Sequence, residues 1–273
     1  MASKAHSGLA SEPDLFWTPA EYDRDTMRKA LQHGGVAGVN SHDRPNVLWK
    51  IKRLCEGDPV SQFGLSGVSG LRFDQVLRLV ADASGIDPDP DVRYGMVVVD
   101  PEKVLQGIEA IADRLALAAE RGERVLIATG HPTGLPLLYQ ETGRLLVQRG
   151  AQLIRPLEGS TWHDLNGRRR QIRYFAGVGM LTDRGSALHT HSPEAMERML
   201  AEETPDLVFS DHGLAGAAIE AGVDTVAIAD VNDPALVVAR SQGRGAALVV
   251  MDDNVQPESY WPCFQIIASR LAT

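Results

Sequence analysis

Arg124-Val-Leu-Ile-Ala-Thr-Gly130-His131-Pro132-Thr133-Gly134-Leu135 joins a short apolar, β-branched run to a glycine-bracketed histidine and then to a helical pattern. It predicts a strand, an anion-binding turn and a helix start. Gly130 and Gly134 allow a tight turn and a close approach of backbone to a ligand, and free N–H groups at a helix N-terminus favour an anion. Thr133 lies in the same bend, and His131 stands beside whatever binds there. Glycine after a strand also serves turn geometry alone in many α/β proteins, so the surroundings decide what this motif means.

Those surroundings repeat the pattern. Apolar runs at 125–128, 153–154, 207–209, 226–229 and 247–251 are mostly followed by turn residues and a helical stretch. The alternation predicts an α/β fold with a mostly parallel, doubly wound (Rossmann-like) sheet covered by helices on both faces. Thr161 to Phe175 breaks the rhythm, because Asn166-Gly167 between two alternating runs predicts an antiparallel β-hairpin excursion at the sheet edge or over its mouth. Upstream, Met27, Leu31, Val47, Ile51 and Leu54 fall at helical spacings, 87–91 reads as a loop, and Leu105 to Ala118 follows a helical period ending at Gly122. The expected division is a flexible tail over 1–20 that includes a solvated His6, a helical N-terminal region over 21–122 packing on the core, and an α/β catalytic core over 123–273.

The chain has 273 residues, 44% of them hydrophobic, enough for one sizeable core or a large and a small lobe. A formal net charge of -9 argues against extended contact with a nucleic-acid backbone but leaves room for a small anionic ligand. Cys55 and Cys263 read as two reduced thiols. The opening Met1 to Ala10 lacks the apolar core of a secretory signal, and no stretch approaches the roughly 20 apolar residues of a membrane span, so a cytoplasmic location without membrane contact is the expectation. A homo-oligomer stays open.

In an open parallel sheet, ligands collect at the carboxyl ends of strands. The residues after each apolar run are Gly130 and His131, then His189-Thr-His191-Ser192, Ser210-Asp211-His212-Gly213, Asp230-Val-Asn232-Asp233 and Asp252-Asp253-Asn254. His189 and His191 alternate along an extended segment and can face one metal ion, with Asp211 as a third ligand and His212, Asp230 or Asp253 within a mixed nitrogen and oxygen shell. Manganese, zinc or iron suits such a shell, and a divalent manganese, magnesium or zinc ion is the cofactor expected, if there is one. Two other readings stand beside it. One histidine moves protons while another bonds an anion without metal, or Ser192, Asn232 and Asp233 are helix caps ahead of prolines. His33, His42 and His163 read as surface or packing residues. Lys50 and Arg53, three apart in a helix, can clamp an anion over the rim or form a solvated basic face, and Arg168 to Arg170 reads as a solvated turn.

Arg93-Tyr-Gly95, the Ala128 to Leu135 block, His189-Thr-His-Ser192, Ser210-Asp-His-Gly213, Ala229-Asp-Val-Asn-Asp-Pro-Ala-Leu236 and Asp252-Asp253 resemble an actinobacterial family generically called phosphatase, in order from about Asn46 to Tyr260. That family pattern has two asparagines near Asn46, where Val47 fills the second place here, and the hairpin around His163 is unusual for it. The resemblance implies hydrolysis of a phosphate monoester of a small metabolite, such as a sugar or nucleoside phosphate. The Gly130 to Gly134 bend would cradle the phosphate, Lys50, Arg53, Asn232 and Asp253 would hold the substrate, and His131, Asp211, His212 and Asp230 would activate water with or without a divalent ion. Neither an Asp-x-Asp-x-Thr/Val nucleophile segment nor an Arg-His-Gly segment is present. A phosphosugar isomerase or lyase and a non-enzymatic sensor of a phosphorylated ligand are the alternatives. NAD is disfavoured, because Gly177-Val-Gly179 is followed by Thr182 where a third glycine is needed.

Overall fold

The computed structural model describes residues 16–272, so most of the expected tail, with His6, lies outside them. Phe16 to Ala20, assigned to that tail, run along the body: the Phe16 and Trp17 amides donate to the Glu141 carboxylate, and Gln265 bonds both Thr18 and Ala20.

Chain order begins with α1 (Arg24–His33), β1 (Gly38–Asp43), α2 (Arg44–Cys55), α3 (Phe73–Ser84), β2 (Met96–Val99) and α4 (Pro101–Glu120). Asp23, Asp43 and Asp100 cap the helices they precede, each accepting an N–H of the first turn. β1 and β2 pair antiparallel, so the stretch read as helical also carries a two-stranded sheet. The second half continues with β3 (Arg124–Thr129), α5 (Pro136–Gln148), β4 (Gln152–Leu153), β5 (Thr161–His163), β6 (Arg169–Phe175), β7 (Val178–Asp183), β8 (Ser186–Ala187) and α6 (Glu194–Glu202). It ends with β9 (Leu207–Asp211), α7 (His212–Glu220), β10 (Thr225–Ala229), α8 (Pro234–Ser241), β11 (Ala247–Val250) and α9 (Trp261–Leu271).

The fold is mixed α/β around a mostly parallel central sheet. Its order is β11-β10-β9-β3-β7-β6-β5, with β4 against β3 and β8 against β7. Strands β11, β10, β9, β3, β7 and β4 pair parallel, whereas β6, β5 and β8 pair antiparallel. The hairpin therefore builds the sheet edge, and Asn166-Gly167 lies at its tip with Gly167 at φ 72°. The short strand expected at 153–154 falls one residue earlier, at Gln152–Leu153, and makes a two-residue contact with Arg124 and Val125. Beyond it the neighbour of β3 is β7, which follows the hairpin and returns parallel to Ile127–Thr129. Successive buried residues of β3 enter separate cores: Val125 and Ile127 pack with residues of α4, α5 and α9, Leu126 and Ala128 with residues of α6 and α7. No helix among the described residues is long and apolar enough to cross a membrane.

Because both faces are covered, Leu126→Ala and Ile127→Ala should each lower stability by about 2–5 kcal/mol in urea unfolding. A near-neutral result at either position would mean that one face is open to water.

Candidate active site

The polar turns at the carboxyl ends of β3, β9, β10 and β11 meet the loop that follows β8. Ring centroids lie 4.8 Å apart for His131 and His189, 5.0 Å for His189 and His191, and 4.7 Å for His191 and His212. One ligating atom from each of His189, His191 and His212 lies within 4.8 Å of the others, and His212, Asp233 and Asp253 make a second such set. His212 is common to both. His189 is exposed at the mouth, His191 is half-buried and His212 is buried, so the cluster runs from solvent into the protein.

Asp211 fixes this arrangement. It is fully buried; its Oδ1 accepts the Gly130 N–H at 2.7 Å and lies 3.0 Å from His212 Nδ1, while Thr129 Oγ1 donates to Oδ2. Burial works against its charge, yet His212 and these donors outweigh it and hold the carboxyl below its ordinary range. With Nδ1 committed, His212 turns Nε2 toward Asp253 at 3.3 Å and Asp233 at 3.5 Å. The residue takes a left-handed φ of 47° at the bend from β9 into α7, a conformation that costs a non-glycine residue about 1–3 kcal/mol. Gly213 completes the bend, because a Cβ there would stand 2.1 Å from the His191 carbonyl oxygen.

Electrostatics divide the histidines. Burial alone would lower His212, but Asp233, the bond to Asp211 and Asp253 lift it to about 10. Burial, reinforced by cationic His212, lowers His131 to about 4 and His191 to about 3, and His189 falls for the same reasons. Neutral imidazole is the form that ligates a metal or takes up a proton. Burial raises Asp253 to about 7, with His212 opposing, and raises Asp230 well above its usual value with help from Asp253 and Asp252. Asp230 Oδ2, Asp253 Oδ2 and His131 Nδ1 are buried without a hydrogen-bond partner, and the two carboxylate oxygens face His42 Nε2 at 3.4 Å and His212 Nε2 at 3.3 Å.

Several residues sit elsewhere than expected. Both oxygens of Asp211 are engaged, so it orients His212, and His212 takes its place as a candidate metal ligand beside His189 and His191. Asp230 accepts from Asn40 Nδ2 at 3.0 Å and faces His42 Nε2 at 3.4 Å. Asn232 donates to Asn46 Oδ1 at 2.9 Å and does not cap α8, whose N-cap is Asp233; Ser192 does accept the Glu194 N–H. Arg53 is drawn away to Asp58 at 2.6 Å, whereas the charge of Lys50 reaches the site and lowers His42, His189 and His191 after burial has done so. The anion cradle is reduced as well. The Gly130 and His131 amides donate to Asp211 and to Thr129 Oγ1, and Pro132 has no N–H, which leaves a ligand the amides from exposed Thr133 onward. Glycine is needed here chiefly for packing, since a Cβ at Gly130 would lie 2.4 Å from the Thr190 carbonyl oxygen and one at Gly134 2.6 Å from that of Asp253.

A family model described as Phosphatase matches residues 22–273. The chain belongs to the Phosphatase family. Phosphatase SCO2771 of Streptomyces coelicolor is 36% identical over 250 residues, covering 89% of this chain and 94% of that protein. The family region includes β1 and α2, and with them a part of the site that sequence reasoning missed. His42, read as packing, sits at Asp230, and Ser41 donates its N–H and hydroxyl to Asp252 at 2.6 and 3.1 Å. The available signal was an extended Val39 to His42 run leading into the Asp43 cap, the same strand-to-helix pattern that marks the other rim residues.

A group with a raised folded pKa stabilises the fold below its unfolded pKa and loses that contribution as pH rises through the folded value. For His212 the window runs from 6.5 to about 10. In chelator-treated protein, the melting-temperature advantage of wild type over His212→Gln should therefore be largest near pH 6 and shrink progressively toward pH 10. A constant gap across that range would show that His212 is not held as a buried cation.

Proposed function

We propose that this Phosphatase-family protein hydrolyses the phosphate monoester of a small metabolite at the His131, His189, His191 and His212 cluster, with a divalent metal ion held there. The observation that carries the reading is the meeting of three imidazoles in one set of ligating distances, with a second set of His212, Asp233 and Asp253 buried behind them. His189, His191 and His212 would supply the nitrogen ligands, and Asp233 and Asp253, grouped with His212 in the second set, would supply oxygen; nitrogen and carboxylate donors together suit manganese or zinc better than magnesium, which prefers oxygen. When bound, such an ion neutralises phosphoryl oxygens and lowers the pKa of water.

The chain's own groups divide the remaining work. Lys50 brings a positive charge to the exposed side, where the equatorial oxygens of a phosphoryl group need compensation. His131, kept neutral with Nε2 4.0 Å from Asp253 Oδ1, would accept the proton of the attacking water at Nδ1 and pass it to the alcohol oxygen as the ester P–O bond breaks. Asp211 holds His212 in the tautomer that leaves Nε2 for binding, as a carboxylate behind a metal-bound histidine does.

A phosphate-release screen over sugar and nucleoside monophosphates, run with chelator and then with manganese, zinc or magnesium, tests the reading. Release should require added metal, vanish in His191→Ala and drop about 10–100-fold in Asp211→Asn. Substrate loss without free phosphate, or full turnover by His191→Ala, would contradict it.

A further inference from the structure

Beside the histidines lies a cleft that hydrolysis itself does not use. Its volume is about 330 Å³, the size of a small-molecule pocket. Trp162, Arg168 and Arg170 of the β5–β6 hairpin form one wall, and His189, Ser192 and Glu194 line the side leading to α6. His189 belongs to both cleft and cluster, so a molecule whose phosphate reached the cluster would extend its remainder into the cleft.

The charges in the cleft are not equivalent. Arg170 is held by Asp164 at 2.8 Å, and Glu194 accepts Trp162 Nε1 at 2.8 Å and the Arg198 guanidinium at 2.9 Å. The Arg168 backbone N–H donates to Asp164 Oδ1 at 2.9 Å, but its guanidinium makes no ion pair among the described residues and the residue is exposed. In a chain of formal charge -9, a free guanidinium at the mouth of the site favours an anionic guest. Its planar fork suits phosphate or carboxylate.

We propose that this cleft seats the non-reacting part of the substrate and that Arg168 binds a second acidic group there, so that preferred substrates are small phosphate esters carrying another phosphate or a carboxylate. The assignment rests on the histidine cluster being the hydrolytic centre. It makes the hairpin the specificity element of the site.

Two substrate pairs test it in the metal-loaded protein: glucose 1,6-bisphosphate against glucose 6-phosphate, and 3-phosphoglycerate against glycerol 3-phosphate. Wild type should favour the doubly acidic member of at least one pair by about tenfold in kcat/KM, the worth of one charge-assisted hydrogen bond. The pair that shows it identifies the second group as phosphate or carboxylate. Arg168→Glu should bring the ratio to about one through KM, and Arg168→Lys should restore part of it. Absence of a preference in wild type, or a preference that survives Arg168→Glu, overturns the subsite while leaving the hydrolytic reading intact. Should no member release phosphate, the wider screen decides the hydrolytic reading and calorimetric binding of glucose 1,6-bisphosphate judges the cleft alone: about tenfold weaker binding by Arg168→Glu supports it, and equal affinity or no binding overturns it.

Discussion

Asp211 and His212 are adjacent in sequence and buried together, and the 3.0 Å contact between Oδ1 and Nδ1 constrains everything around them. A buried carboxylate is tolerable only when its lone pairs are met, and here they are met by the end of β3, through Thr129 and the Gly130 amide, as well as by the imidazole. The same contact fixes which nitrogen of His212 faces Asp233 and Asp253. Parallel neighbours β3 and β9 are thereby locked at their carboxyl ends, and the bend of α7 is held with His212 in a left-handed conformation.

Behind His212 the protein concentrates acid. Asp230, Asp233, Asp252 and Asp253 lie at the ends of two adjacent strands, all nearly inaccessible to water. The Asp252 oxygens accept hydrogen bonds from Ser41 and from the Asn254 amide, whereas Asp230 Oδ2 and Asp253 Oδ2 have no hydrogen-bond donor and both carboxyls have raised pKa values. Such a cluster is stable only if protons or a cation reside in it. The proton that these carboxylates hold on His212 is one such charge, and on the proposed reading a divalent ion would take its place.

The sequence disclosed the parallel strands well because strands covered on both faces read as continuous apolar runs, as Val125 to Ala128 and Val226 to Ala229 do. The rim residues followed, since strand ends in such a sheet share an edge. The hairpin was legible through Asn166-Gly167. Less visible was β7, whose Gly179 with the preceding Gly177 reads as part of an incomplete nucleotide motif and whose pairing with β3 depends on a long return path after the hairpin. Likewise β1 and β2 are short strands in a helical context, so nothing local tied His42 to Asp230, 188 positions further on. Whether Arg53 faces the site or Asp58 is a matter of rotamer and neighbours, which periodicity does not encode. The resemblance to the family had to supply the chemistry that residue spacing alone left open between metal, proton transfer and capping.

The central claim is that one buried imidazole carries a proton that a metal ion displaces. Calorimetric titration of chelator-stripped protein with manganese or zinc at pH 8, repeated in buffers of different ionisation enthalpy, counts that proton directly. The account predicts one ion per chain bound with release of about one proton, and loss of that release in His212→Gln. Binding without proton release in the wild type, or no binding at all, would contradict it.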